Sequence, residues 1–159
     1  MRFTILCVGK IKEKYFTDAI AEYKKRLSRY ADIEIIEVAD EKTPDQASEG
    51  EENLIKATEG KRLLSKIKDS MYVITLDLKG KEYDSVAFSK YLSDLKVRGN
   101  SHIAFVIGGS LGLDKEVLER ANAKVCFSKM TFPHQLMRVI LLEQVYRGCR
   151  IEKNEPYHK

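Results

Sequence analysis

The chain ends Pro156-Tyr157-His158-Lys159, which sets an aromatic ring, an imidazole and an ammonium side by side. An imidazole accepts or donates a proton near neutral pH, and a tyrosine ring can stack on an unpaired base. The plainer reading of three residues at a chain end is a frayed terminus. Arg147 and Arg150 precede the tail. They could reach phosphates beside it or serve as solvated surface charge.

Two further stretches could hold a ligand. One is the glycine run Ile107-Gly108-Gly109-Ser110-Leu111-Gly112, and the other is the turn Phe127-Ser128-Lys129-Met130-Thr131-Phe132-Pro133-His134-Gln135. The glycines would let the backbone approach a ligand closely and adopt positive φ. They would equally make a tight strand-to-helix turn. The run is not GxGxxG, it lacks the Lys-Ser/Thr of a P-loop, and no acid ends the next apolar run, so a dinucleotide or triphosphate is disfavoured. His102, His134 and His158 are the only histidines, and no cysteine or acid cluster stands beside them at ligand spacing, so no metal site is expected. Cys7, Cys126 and Cys149 form no CxxC pair; they read as reduced thiols, the first two as packing residues.

The elements that must position these residues follow from periodicity. Apolar runs with strand character recur at Phe3–Val8, Ile33–Val38, Met71–Leu78, His102–Ile107 and Lys124–Phe127, separated by helix-like patterns. Tyr15, Ala19, Tyr23 and Leu27 mark one helix, and Leu54, Ile55, Leu63, Leu64 and Ile67 a second. Ser85 can cap a third running to about Val97, and Asp114 a fourth running to about Ala123. Pro133 suits the first turn of a last helix reaching about Arg150. Its face of Leu136, Met137, Ile140, Leu141 and Val145 suits core packing and is wide enough for a dimer interface. The acidic stretch Asp40 to Asn53 shows no periodicity and reads as an exposed loop.

Alternation of this kind predicts an α/β fold with a mainly parallel sheet of five to six strands and helices on both faces. Ligands of such sheets bind beyond the carboxyl ends of the strands. Leu76 to Gly80, Gly108 to Gly112 and Phe127 to Phe132 should therefore converge on one pocket. They supply Asp77 and Lys79, a bare backbone, and apolar side chains with Ser128 and Thr131. That mixture suits a ligand with one flat apolar part and several hydrogen-bonding edges.

Length bounds the whole at one domain over residues 1–159. No apolar run approaches the ~20 residues of a membrane span, and the apolar start before Gly9-Lys10 is too short for a signal peptide, so a cytoplasmic protein is expected. The net charge of +4 is unevenly spread. Residues 37 to 59 hold eight acids against Lys42 and Lys56, leaving 26 basic and 16 acidic residues elsewhere, a balance suited to a polyanion.

Val8-Gly9-Lys10, the Tyr23-Arg26-Leu27 helix, Ile107-Gly108-Gly109-Ser110, Phe132-Pro133-His134-Gln135 and Tyr157-His158 together span the chain. Through them it resembles the small SPOUT-class methyltransferases that methylate N3 of a pseudouridine in bacterial 23S ribosomal RNA. The resemblance implies a C-terminal trefoil knot, which physical rules alone would not propose. It implies S-adenosylmethionine as cofactor, held by Leu76, Gly108, Phe127, Ser128, Lys129, Met130, Thr131 and Phe132. It places Arg147, Tyr157, His158 and Lys159 on the substrate side, with His158, Tyr157 and Arg147 expected to serve catalysis. The family's terminal basic residue is often Arg, so Lys159 weakens any expectation of bidentate phosphate binding there. The implied partners are a second copy of the chain in a homodimer and 23S rRNA within the large subunit or assembled ribosome, with no membrane and no metal. The alternatives are a SPOUT methyltransferase with another RNA target and a non-catalytic ribosome-binding protein.

Overall fold

A computed structural model describes all 159 residues. The apolar runs form β1 (Arg2–Val8), β2 (Asp32–Val38), β3 (Tyr72–Glu82), β4 (His102–Ile107) and β5 (Ala123–Cys126). Between and after them lie α1 (Lys14–Leu27), α2 (Glu49–Leu64), α3 (Ser85–Val97), α4 (Lys115–Arg120) and α5 (His134–Glu152). The strands make one five-stranded sheet in the order β2-β1-β4-β3-β5, and every pairing is parallel.

Strand period 2 sorts the core onto two faces. Phe3, Ile5 and Cys7 join Ile103, Phe105 and Ile107 beneath Leu27 of α1, Phe88 and Leu92 of α3, and Leu141 and Val145 of α5. Leu6 and Val8 join Val73, Ala104 and Val106 beneath Leu63 of α2 and Val117 of α4. Burial on both faces explains why the central strands are nearly unbroken apolar runs.

Several local expectations shift. Asp84, not Ser85, caps α3 by accepting from the Ala87 backbone N–H at 2.7 Å, while the Ser85 hydroxyl donates to Gln144 Oε1 at 2.8 Å. Asp84 has the extended backbone, ψ 171°, of the residue just before a first helical turn, and Ser85 already lies in the helix. Pro133 stands at the N-cap of α5 with ψ 137°, one position before the first turn. The acidic loop ends at Ser48, whose hydroxyl accepts from Glu51 N and starts α2. Glu49, Glu51 and Glu52 then sit in the first turn, where the helix dipole favours negative charge. Helix α4 stops at Arg120, and β3 runs on to Glu82.

Both Leu76 and Lys81 of β3 pair with Val125, so the residues between them leave the ladder and stand out at the carboxyl end of the sheet. After β5, at the sheet edge beyond β3, the chain returns across the strand ends to β1. There Arg138 donates to the Val8 and Gly9 carbonyls at 3.0 and 2.8 Å and to Glu37 Oε2 at 2.6 Å. This return accords with the knot that the resemblance implies.

Candidate active site

The stretch of β3 that leaves the ladder after Leu76 and the segments that follow β4 and β5 enclose a cavity of about 520 Å³ at the carboxyl end of the sheet. That size lies within the roughly 300–1,000 Å³ of small-molecule sites. Of the eight expected cofactor residues, Leu76, Gly108, Phe127, Ser128, Met130, Thr131 and Phe132 line it; Lys129 is exposed and does not. Leu111, Leu113, Leu118 and Met137 widen the apolar wall, and Asp77 and Lys79 stand at its edge. Leu78, Met130 and Phe132 are among the few large apolar side chains left exposed, and all three belong to this lining. An exposed apolar rim marks a surface that a ligand or partner covers.

Side-chain atoms shape the turn as well as offering contacts. The Met130 N–H donates to Ser128 Oγ at 3.0 Å, the Cys126 thiol donates to the Ser128 carbonyl at 3.1 Å, and Lys79 N donates to Asp77 Oδ1 at 3.0 Å. The Ser128 hydroxyl keeps its own hydrogen to give to a ligand.

The glycine run has a different cause from ligand clearance alone. A Cβ on Gly108 would lie 2.9 Å from the backbone carbon and oxygen of Gly112, because the run doubles back and Gly112 N donates to the Gly109 carbonyl at 3.1 Å. Within the run only Gly112 takes positive φ, at 88°. Glu59 of α2 backs the loop, with its carboxylate 3.2 Å from where a Gly109 Cβ would stand.

By sequence His134 lies in the turn read as a possible ligand site but has no role of its own, and Arg138 is not a candidate; both matter to this end of the molecule. His134 lines the cavity, and burial followed by the Arg138 charge holds its imidazole below the usual range. Arg138 is 1% exposed and ties the start of α5 to β1 and β2. No spacing rule flags an arginine whose carboxylate partner, Glu37, lies 101 residues earlier.

The tail residues come together at the far end of α5. Arg147 Nε and Nη2 donate to Glu143 Oε1 at 3.0 and 2.6 Å, and the Tyr157 hydroxyl donates to the same oxygen at 3.1 Å. Arg147 Nη1 lies 3.2 Å from His158 Nδ1, and its guanidinium lies over the Tyr157 ring with 4.6 Å to the centroid. Tyr146 meets that ring edge-on at 4.9 Å. The Tyr157 phenol is pushed up to about 12 by burial and by the Glu143 charge, so it stays protonated at neutral pH. Glu143 is a further residue missed by sequence, although its spacing to Arg147 was a readable i,i+4 pair.

The tail is not frayed. Arg150 Nη1 donates to Glu155 Oε2 at 2.6 Å and to the Tyr30 hydroxyl at 3.1 Å, and its Nη2 donates to the Pro156 carbonyl at 2.8 Å. Arg150 is thus an internal fastening, and Arg147 is the arginine that touches His158. His158 and Lys159 are exposed. Arg147 lies thirteen positions along the helix from His134 at the cavity, about 20 Å along the axis. Within one chain the cavity and the tail cluster are separate. No group of His, Cys, Asp or Glu is placed to hold a metal ion, and no helix is long and apolar enough to cross a membrane.

Residues 1–158 match the family model described as Predicted SPOUT methyltransferase. The chain is 67% identical to Ribosomal RNA large subunit methyltransferase H 1 of Clostridium perfringens strain SM101, over 100% of both chains. It is 64% identical to Ribosomal RNA large subunit methyltransferase H of Clostridium beijerinckii, again over 100% of both. Among solved structures, a probable methylase family protein from Haemophilus influenzae Rd KW20 shares the fold. It aligns with TM-score 0.54 and 13% identity over 99% of this chain and 70% of that one. A glycine-turned cavity at the carboxyl ends of β3, β4 and β5, with full-length matches of this kind, means that the chain belongs to the SPOUT methyltransferase family.

Proposed function

We propose that this protein transfers a methyl group from S-adenosylmethionine to N3 of a pseudouridine in 23S rRNA of the bacterial large subunit, on the assembled ribosome. The observation that carries the reading is full-length identity of 60–67% to relatives named for large-subunit rRNA methylation. The cavity fits the cofactor. Its apolar wall and backbone edges match a purine ring, and the Ser128 hydroxyl, which accepts from Met130 N–H, has its own hydrogen left to donate there. Leu76, Gly108, Phe127, Ser128, Met130, Thr131 and Phe132 would hold it. When bound, the cofactor supplies a methyl group already activated by its sulfonium.

The chain's own residues must then align the base with that methyl group and take its N3 proton as the N–C bond forms. A guanidinium only donates, so the Arg147 contact makes His158 Nδ1 the acceptor and puts the ring hydrogen on Nε2. The ring's one lone pair is therefore engaged in the free protein. An RNA phosphate that draws Arg147 away frees Nδ1 for the N3 proton. Tyr157, with its ring already packed by Arg147 and Tyr146, orients Arg147 through Glu143 before it meets any base.

The 20 Å between the two clusters calls for a second copy of the chain, whose tail would meet this cavity in a homodimer. The exposed rim of Leu78, Met130 and Phe132 supports that arrangement. A cytoplasmic setting follows from a ribosomal substrate. The test is transfer of labelled methyl from S-adenosylmethionine to ribosomes lacking the modification, with pseudouridine-free ribosomes and free 23S RNA as controls. Labelling that needs both pseudouridine and the assembled particle is expected. Labelling of pseudouridine-free ribosomes would overturn the assigned base, and labelling of none of these RNAs would overturn the assigned substrate.

A further inference from the structure

The cavity wall contains one histidine, and it is held oddly. His134 Nδ1 is buried without a hydrogen-bond partner, and so is Arg138 Nε one helical turn later. Buried polar atoms in native proteins have partners as a rule, so two orphans at neighbouring positions need a joint explanation. One is a donor and the other can be an acceptor. Arg138 Nε carries a hydrogen and cannot accept, whereas a neutral imidazole offers one bare nitrogen and one N–H. Residues four apart on a helix lie on the same face, which sets the His134 ring and the Arg138 side chain side by side.

We propose that His134 is a ligand-binding residue of the cavity, its Nδ1 engaged by Arg138 Nε–H and its Nε2–H donating a hydrogen bond to an oxygen of the bound cofactor. The inference rests on the S-adenosylmethionine reading above. Three observations support it. His134 lines the cavity, and its Nε2 is not among the enclosed orphan atoms. Arg138 is fixed by Glu37 and by the Val8 and Gly9 carbonyls, so it can orient the ring as a rigid partner. The first turn of α5 carries no acid and no side-chain cap, leaving backbone N–H groups that favour a negatively charged oxygen.

The ring stays neutral in this setting. Burial and then Arg138 disfavour its protonation, and Asp40 and Glu13 only partly oppose them. The contact it makes is thus a donated hydrogen bond and not an ion pair. Its acceptor could be the amino-acid carboxylate or a ribose hydroxyl, and two ligands separate these. S-adenosylhomocysteine carries both, whereas methylthioadenosine keeps the ribose and lacks the carboxylate.

The experiment is calorimetric titration of both ligands into wild type, His134→Ala and His134→Gln, with thermal unfolding of each. Its companion is nitrogen-15 spectroscopy of the wild-type histidines with and without S-adenosylhomocysteine. His134→Ala is expected to bind S-adenosylhomocysteine about tenfold more weakly, with His134→Gln recovering most of the loss. A loss confined to S-adenosylhomocysteine assigns the carboxylate; an equal loss for methylthioadenosine assigns the ribose. The wild-type His134 ring is expected as the Nε2–H tautomer, with that N–H shifted by ligand. Unchanged affinity in a folded His134→Ala protein, or an Nδ1–H tautomer, would overturn the proposal while leaving the cofactor reading intact. Wild type that binds neither ligand would overturn the cofactor reading itself.

Discussion

Arg147 Nη1 lies 3.2 Å from Nδ1 of His158, and because an arginine can only donate, this contact occupies the ring's single lone pair. The same arginine is fastened to Glu143 at 2.6 Å with a quarter of its side chain still exposed. It is therefore placed to exchange His158 for a phosphate without leaving its carboxylate.

His158→Ala is expected to lower kcat on ribosomes on the order of 10²-fold, the contribution of a positioned proton acceptor. S-adenosylhomocysteine affinity should change far less, since none of the residues that would hold the cofactor belongs to the tail. Single-turnover methyl transfer with parallel cofactor titration checks both. Full turnover by the variant would remove His158 from proton transfer.

Glu143 gathers Arg147, Tyr157 and the Gln144 side-chain amide, so its loss should be felt in ionisation as well as stability. In Glu143→Gln the Tyr157 phenol is expected to fall from about 12 toward the ordinary value near 10, because burial remains but the carboxylate charge is gone. Breaking the Arg147 pair should also cost about 1–3 kcal/mol in urea unfolding, since both partners are mostly buried. Ring-labelled tyrosine titrated through alkaline pH reads the first effect. A Tyr157 value that did not move would show that Glu143 does not act on it electrostatically.

Much of this architecture was legible in the chain. Val73–Leu78 and Ile103–Ile107 read as central strands because double burial leaves no room for alternation, and they pair as β3 and β4. The three post-strand segments met in one cavity because a parallel sheet puts all its strand ends on one edge. What could not be read depends on partners distant in sequence. Arg138 looks like a surface cation until β1 and β2 bring Val8, Gly9 and Glu37 to it. His134 looks like any helix-start histidine until the return across the sheet sets it in the cavity wall. Ser85 and Asp84 are both good caps, and only the backbone conformation chooses between them.

Two glycines separate a packing demand from a conformational one. Gly108→Ala would put a Cβ 2.9 Å from the Gly112 backbone, so the loop must open and cofactor affinity is expected to fall at least tenfold. Gly99, at φ 92°, has open space around it, so Gly99→Ala should cost about 1 kcal/mol of stability and leave cofactor binding unchanged. Cofactor titration beside urea unfolding of the two variants tests the contrast. Equal binding losses would show that the effect is global and that the Gly108 turn has no special part in the site.

Glu59 is 5% exposed, and burial, with the nearby Asp40 and Glu41 charges, raises its pKa, against the Glu41 N–H it accepts at 3.0 Å and the Arg62 charge. A carboxyl whose folded value exceeds its unfolded value binds its proton more tightly when folded. Stability contributed by that proton is complete below the unfolded value, near 4.3, and is lost as pH rises through the raised folded value. Glu59→Gln keeps an oxygen for the Glu41 N–H and has no proton to lose. Its stability relative to wild type should therefore climb with pH above about 4.3 and level off once the wild-type carboxyl is ionised. Urea unfolding of both proteins from pH 4 to 8 reads the curve. A flat difference would mean that Glu59 has the same proton affinity folded and unfolded, and that Arg62 and the Glu41 amide fully offset its burial behind the glycine loop.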